Sequence, residues 1–174
     1  MCNDIPRVGV FIDYRNLYYG AKLGLRTTKI DFRKVKNKAL NGRVLRHAFF
    51  YDIINSDDQL GTDIQKKLHN ALMEIGFTVR SKSLKVYRHH LRSVPVRKGD
   101  WDLGIAMEIL ELAPYLDVVV IVSGDGDFVP LVKHLQKYYG INVECMSVKE
   151  SLSAELAAEV NQCIIIDEYY KMHR

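Results

Sequence analysis

The sequence predicts an α/β fold of three layers, an α/β/α sandwich with helices on both sides of a mainly parallel central sheet. Three observations carry that expectation. Short β-branched runs alternate with segments of helical periodicity along the chain. The run DVVVIVS (117–123) is apolar without alternation, which suits a central strand covered on both faces. With 174 residues, 48% hydrophobic and 26% charged, residues 1–174 make one globular domain with a core of its own.

Taken in order, RVGVFID (7–13) reads as a buried strand, RNLYYGAKLG (15–24) as a short helix and DFRKVKNKAL (31–40) as a second helix stopped by Gly42. RVLRHAFFYDI (43–53) is the next strand. Thr62 caps a helix that ends at Gly76, and FTVRSKSLKVYR (77–88) alternates as a half-buried strand. Residues 89–99 read as loop. WDLGIAMEILELA (101–113) is a helix, followed by the strand at 117–123. DFVPLVKHLQKYYG (127–140), INVECMSV (141–148), SLSAELAAEV (151–160) and CIIID (163–167) continue as helix, strand, helix and final strand.

The net charge of +4 and pI of about 8.9 permit an anionic partner without requiring one. Cys2, Cys145 and Cys163 are odd in number and lack zinc or secreted-domain spacings, which fits a reducing, cytoplasmic setting. Neither a secretory leader nor a membrane-length apolar run is expected.

Chemistry concentrates in the acids. The strand at 117–123 ends in SGDGDF, where Asp125 and Asp127 stand two residues apart among glycines; such carboxylates repel, and a cation is the obvious compensation. Asp13 ends the first strand. In a parallel sheet, ligands bind beyond the carboxyl ends of the strands where the strand order switches, so these acids meet if the two strands are neighbours. Asp102 joins them by another route: Ile105, Ala106 and Ile109 share its helix face, which places it on the sheet-facing stripe in the first turn.

Asp102, Asp125 and Asp127 sit near helix starts and have a plainer reading as helix caps or turn residues, whereas the charge of Asp13 at the end of an apolar strand needs a partner, either Arg15 or a cation. Four independent caps at one sheet edge are less economical than one metal site. Hard cations such as Mg²⁺ or Mn²⁺ take carboxylate oxygen together with water and substrate phosphate, and they activate water while neutralising charge at phosphorus. Gly124 and Gly126 then let backbone amides and substrate come close.

FIDYRNLYYG, KGDWDLGIAMEIL and VVVIVSGDGDFVPLVKHLQKYYGINVECMSV resemble the three signature segments of the NYN domain family, the LabA-like branch of the PIN-like nucleases, over residues 8 to 148. The resemblance implies a PIN-like fold whose acidic cluster binds Mg²⁺ or Mn²⁺ and hydrolyses RNA, single-stranded RNA above all. Asp13, Asp102, Asp125 and Asp127 match the family's metal-binding acids, and Asn16 its polar partner. Ser123 would tie the turn, with Gly124 beside it. Lys98, with Arg97 and Arg15, would position the RNA backbone. Asp100 reads as an outer acid or a cap, and Glu108 carries no site role.

From Gly76 to Gly99 the sequence holds no acid, while Arg80, Lys82, Lys85, Arg88, Arg92, Arg97 and Lys98 alternate with Tyr87, His89 and His90. That composition suits phosphate contacts and base stacking, or the wet face of an edge strand. Arg33, Lys34, Lys36 and Lys38 read as a solvated helix face. Tyr18 and Tyr19 could stack a base at the site mouth or divide between core and surface. His134 reads as a hydrogen-bonded core histidine, and the C-terminal IIIDEYY as a surface on which two copies could pair as a homodimer.

Other classes fit less well. A phosphatase of the haloacid dehalogenase type needs a second Asp two residues after the first, where Arg15 stands. No G-x-G-x-x-G opens the first helix, against dinucleotide binding. A topoisomerase-primase site needs a strand-end Glu, where Asp13 stands. A PIN-like domain that keeps its acids yet only binds RNA or protein is the non-enzymatic alternative.

Overall fold

The computed structural model describes residues 5–54, 59–87, 96–98 and 100–172, with residues 59, 85–87 and 96–98 described in their backbone alone. A six-stranded parallel sheet forms the middle layer, in the order β3-β2-β1-β6-β7-β8. Its strands are β1 (Arg7–Asp13), β2 (Val44–Ile54), β3 (Thr78–Ser83), β6 (Val118–Val122), β7 (Asn142–Ser147) and β8 (Gln162–Ile165). Two further strands, β4 (Lys85–Tyr87) and β5 (Val96–Lys98), pair antiparallel as a separate ribbon.

Alternation within the strands sorts the side chains into two cores. Val8, Val10 and Ile12 of β1 pack with α1 (Tyr14–Gly20), α2 (Phe32–Leu40) and α3 (Gln59–Glu74). Phe11 turns to the other face, against α4 (Asp102–Leu112), α5 (Val129–His134) and α6 (Ala154–Glu159). β6 is buried at every residue, as the unbroken apolar run predicts. The sandwich expected from sequence is therefore the observed architecture. Among the described residues, no helix is long and apolar enough to cross a membrane.

Several expectations need correction. The run 77–88 is two strands. β2 ends at Ile54, whose carbonyl accepts from Leu84 N at 2.8 Å, and Lys85–Tyr87 then pairs with Val96–Lys98 and not with β2. The ribbon thus occupies part of the segment read as loop. α3 begins at Gln59, ahead of Thr62, where no apolar periodicity marks a helix. Both α1 and α5 run on into π-helical turns, Ala21–Leu25 and Leu135–Tyr139.

That change of period affects side-chain facing. Asp127 sits in a 3-10 turn, Gly126–Phe128, ahead of α5, and His134 lies at the junction with the π turn. His134 is exposed, its ring tilted against that of Tyr138 at 4.7 Å between ring centroids, and is not a core residue. The basic face of α2 is also more than solvated: Lys34 Nζ donates to the Tyr169 carbonyl at 2.8 Å, and Lys36 Nζ donates to the Ile75 carbonyl. At the C-terminus, Ile166 and Tyr170 are buried in the chain's own core, so part of the IIIDEYY run is used internally.

Candidate metal centre

The strand order reverses between β1 and β6: the chain leaves β1 toward β2 and β3 on one side, and β6 leads to β7 and β8 on the other. The register Ile12↔Val122 sets the ends of these strands level. Asp13 and Ser123 follow directly, and Ser123 Oγ donates to Asp13 Oδ2 at 3.2 Å. Both residues are buried. The crevice at the switch point therefore opens on a carboxylate fixed from beneath.

Asp13 also caps α1, its Oδ1 accepting from Asn16 N at 3.2 Å. The cap turns Asn16 toward β6, where its Oδ1 accepts the Gly124 amide at 2.9 Å. Ser123 Oγ takes the Asp125 amide at 3.2 Å, and Asp125 Oδ1 takes the Asp127 amide at 3.0 Å. SGDGDF is thus a run of short side-chain-to-backbone hydrogen bonds, each stabilising a tight turn. The plain cap reading holds for Asp125, Asp13 also turns out to cap its helix, and both still face the crevice.

Asp102 behaves differently. It is the first residue of α4, whose N-cap is Trp101, and no side-chain bond caps this helix. Ile105 and Ile109 on its stripe are fully buried, which aims Asp102 across the sheet edge from the opposite layer to α1. Ligand oxygens of Asp102, Asp125 and Asp127 lie within 4.8 Å of one another. Asp13 lies outside that triplet, one step deeper.

Electrostatics register the crowding. Burial, followed by the charges of Asp13, Asp125, Asp100 and Asp127, pushes the Asp102 carboxyl from 3.8 up to about 6. Burial raises Asp13 as well, against the hydrogen bonds from Asn16 and Ser123 that lower it; the Asp125 charge adds to the rise. Like charges and desolvation prevail over compensation here, a state that a divalent cation relieves. The donor set is oxygen only, which fits Mg²⁺ or Mn²⁺ better than a thiolate- or imidazole-seeking ion.

A cavity of about 380 Å³ covers these acids, lined by Asp13, Arg15, Asn16, Asp100, Asp102 and Asp125, with Tyr19, Gly20, Leu23, Trp101 and Ser151 completing it. Of the site residues expected from sequence, the structure brings Asp13, Arg15, Asn16, Asp102 and Asp125 to this cavity, with Ser123 and Gly124 behind it. Asp127 stands exposed at the rim, within the triplet. Arg97 and Lys98 lie on β5, and their side chains fall outside the described residues, as do Arg88, His89, His90 and Arg92. Asp100 lines the cavity without capping α4. Glu108 is engaged elsewhere, accepting from Tyr51 Oη at 2.8 Å and Arg80 Nη2 at 2.7 Å.

Two contributors escaped the sequence reading. Trp101 forms a wall, its Nε1 donating to the Asp52 carbonyl at 2.7 Å, while Lys82 Nζ sits 4.5 Å from the ring centroid. Asp52 is itself anchored by His69 Nε2 at 2.7 Å, a buried pair at the end of β2. The other is the segment 148–153. Ser153 N donates to the Gly124 carbonyl at 2.8 Å, and a Cβ on Gly124 would fall against the Ser151 carbonyl and Ser147 Oγ. Glycine is required there by close approach. A KGDW start with an indole at the cap position was the one available signal for the wall; the buttress left none.

Fold and site together define an α/β/α protein of the PIN-like class. The chain belongs to the NYN domain family, whose model matches residues 7–167. It is 26% identical over 125 residues to the low amplitude and bright protein LabA of Synechococcus elongatus. That alignment covers 70% of this chain and 63% of LabA, less than two thirds of the relative's length. A solved structure, a protein of unknown function from Vibrio parahaemolyticus, superposes with a TM-score of 0.84 at 28% identity, covering 99% of both chains.

Proposed function

We propose that this protein is a metal-dependent ribonuclease that hydrolyses phosphodiester bonds of single-stranded RNA. The observation that carries the reading is the convergence of Asp102, Asp125 and Asp127 within 4.8 Å, from two layers of the fold, at the switch point of the sheet. Asp102, Asp125 and Asp127 would hold Mg²⁺ or Mn²⁺, with Asp13 completing the negative field from below. The bound ion supplies activation of water and neutralisation of charge at phosphorus.

The chain's own groups do the rest. Asn16 holds the Gly124 amide and so the orientation of the turn that presents Asp125. Ser123 fixes Asp13 and Asp125 relative to each other through its single hydroxyl. Arg15 at the cavity wall, with Arg97 and Lys98 from β5, binds the phosphate backbone, supplying the salt-sensitive part of affinity. A cytoplasmic setting suits Cys145 and Cys163, which remain thiols with their sulfurs 3.0 Å apart.

The test is cleavage of an end-labelled single-stranded RNA by wild type and Asp125→Asn, each with Mn²⁺, Mg²⁺ or EDTA. Cutting that needs metal and disappears in the variant is the expected result. Should both proteins bind the RNA alike and neither cut it, the pocket serves a binding module and the catalytic reading is lost.

A further inference from the structure

The helix that carries Asn16 also leaves two apolar side chains in the open. Tyr19 is 58% exposed and Leu23 71%, although Leu17 and Ala21 beside them are buried. Arg15 and Tyr19 are four residues apart on one face of α1, and Leu23 comes from the π turn that follows it. All three line the cavity over the acids. Its opposite wall is Trp101, anchored through Asp52 and Lys82. The cavity thus has an anionic floor, an aromatic wall and an apolar platform with a guanidinium at its end.

The platform is held in place. Tyr19 packs edge-on against Tyr18 at 5.4 Å, Tyr18 edge-on against Tyr14 at 5.8 Å, and Tyr14 lies 4.8 Å from the fully buried Phe50. A ladder of rings from the core to the cavity mouth fixes the outermost tyrosine before anything binds, which lowers the entropy lost on binding.

We propose that Tyr19 and Leu23 form a stacking platform for one unpaired RNA base, whose flanking phosphate lies toward Arg15 and the triplet of acids. The proposal rests on the ribonuclease reading and names what that site selects. A base has a π-face for the tyrosine ring irrespective of its identity, and phosphate complements Arg15. A base inside a duplex is already stacked on both sides and paired, so it reaches the platform only by leaving the helix. The cavity therefore discriminates by strandedness, and a purely electrostatic groove would not.

Trp101 is the single tryptophan of the chain, so its fluorescence reports this cavity alone. The experiment uses Asp125→Asn protein with Mg²⁺, titrated with a short end-labelled single strand of RNA, with the same sequence as a duplex, and with a series of strands each carrying one abasic position. Trp101 emission and RNA anisotropy are followed together, and wild-type cleavage is measured separately. The expected result is a Trp101 change with the single strand, duplex binding about tenfold weaker or more, and one abasic position that weakens binding by about tenfold. Adding Tyr19→Ser should remove that positional effect, and Tyr19→Phe should keep it.

If the single strand binds but is indifferent to every abasic position and to Tyr19→Ser, the platform is wrong while the ribonuclease reading stands. If wild type neither binds nor cuts RNA, both fall.

Discussion

The Gly124 amide donates to Asn16 Oδ1 at 2.9 Å, so the turn after β6 is held by the first turn of the helix after β1. This bond joins the two strands at which the sheet reverses, and it leaves Asp13 and Asp125 on either side of one crevice. Asn16→Ala removes the acceptor from a buried amide. A loss of about 1–3 kcal/mol in stability is expected, accompanied by a loss of RNA cleavage larger than that stability change explains. Urea unfolding and kcat/KM, measured on the same preparations, separate the two effects.

Gly124 has no room for a side chain, because the Ser151 carbonyl and Ser147 Oγ stand where a Cβ would project. Gly124→Ala should destabilise by about 1–3 kcal/mol through overpacking. Adding Ser147→Ala should recover little, since the backbone carbonyl remains. Thermal melts of the single and double variants decide this, and full recovery would show that the hydroxyl alone sets the fit.

The raised Asp102 carboxyl makes a signed prediction. Its folded value of about 6 exceeds the ordinary 3.8, so the folded protein binds this proton more tightly than the unfolded chain does. Without metal, this group's contribution to stability therefore improves as pH falls from about 7 through 6 toward 4, and the ionised form is a burden above 6. Asp13 shifts in the same direction. In EDTA, Asp102→Asn should melt a few degrees higher than wild type at about pH 7.5, keep roughly half of that advantage near pH 5 and lose most of it below about pH 4. Mn²⁺ should raise the wild-type Tm at the higher pH and leave Asp102→Asn nearly unmoved. A Tm of wild type insensitive to Mn²⁺ would count against the metal centre.

Two ion pairs should differ sharply when broken. Arg43 and Glu144 are only 13% and 6% exposed and meet through the two terminal guanidinium nitrogens, at 2.7 and 2.9 Å. Glu144→Ala leaves the mostly buried Arg43 guanidinium with only the Ala39 and Leu40 carbonyls and should cost about 3 kcal/mol. Arg7 and Asp117 pair at 2.9 Å at 37% and 44% exposure. Hydrogen bonds from Arg7 hold the Asp117 carboxyl near 2, yet Asp117→Ala should cost about 1 kcal/mol or less because solvent screens the pair. Urea midpoints of the two variants provide the comparison.

Much of the candidate site was legible because strand ends are legible. RVGVFID and DVVVIVS announce themselves by continuous burial, and a charge at the end of such a run has few places to go but the sheet edge. Asp102 was readable from the spacing to Ile105 and Ile109. His134 faces solvent and not the core, and the helix around it is irregular, with a 3-10 turn before α5 and a π turn after it that depart from the 3.6-residue period on which such readings depend.

The sequence alone determined the helices and the strands of the central sheet in outline, though not the β4–β5 ribbon, and that acids close two of the strands. Apolar periodicity is a local property, written in neighbouring residues. Only the tertiary structure decided that β1 and β6 are adjacent, that α1 and α4 approach the same edge from opposite layers, and that Ser151 presses on Gly124 while Asp52 holds Trp101. Those are contacts between residues far apart in the chain, selected by the packing of whole layers. No window of sequence contains both partners.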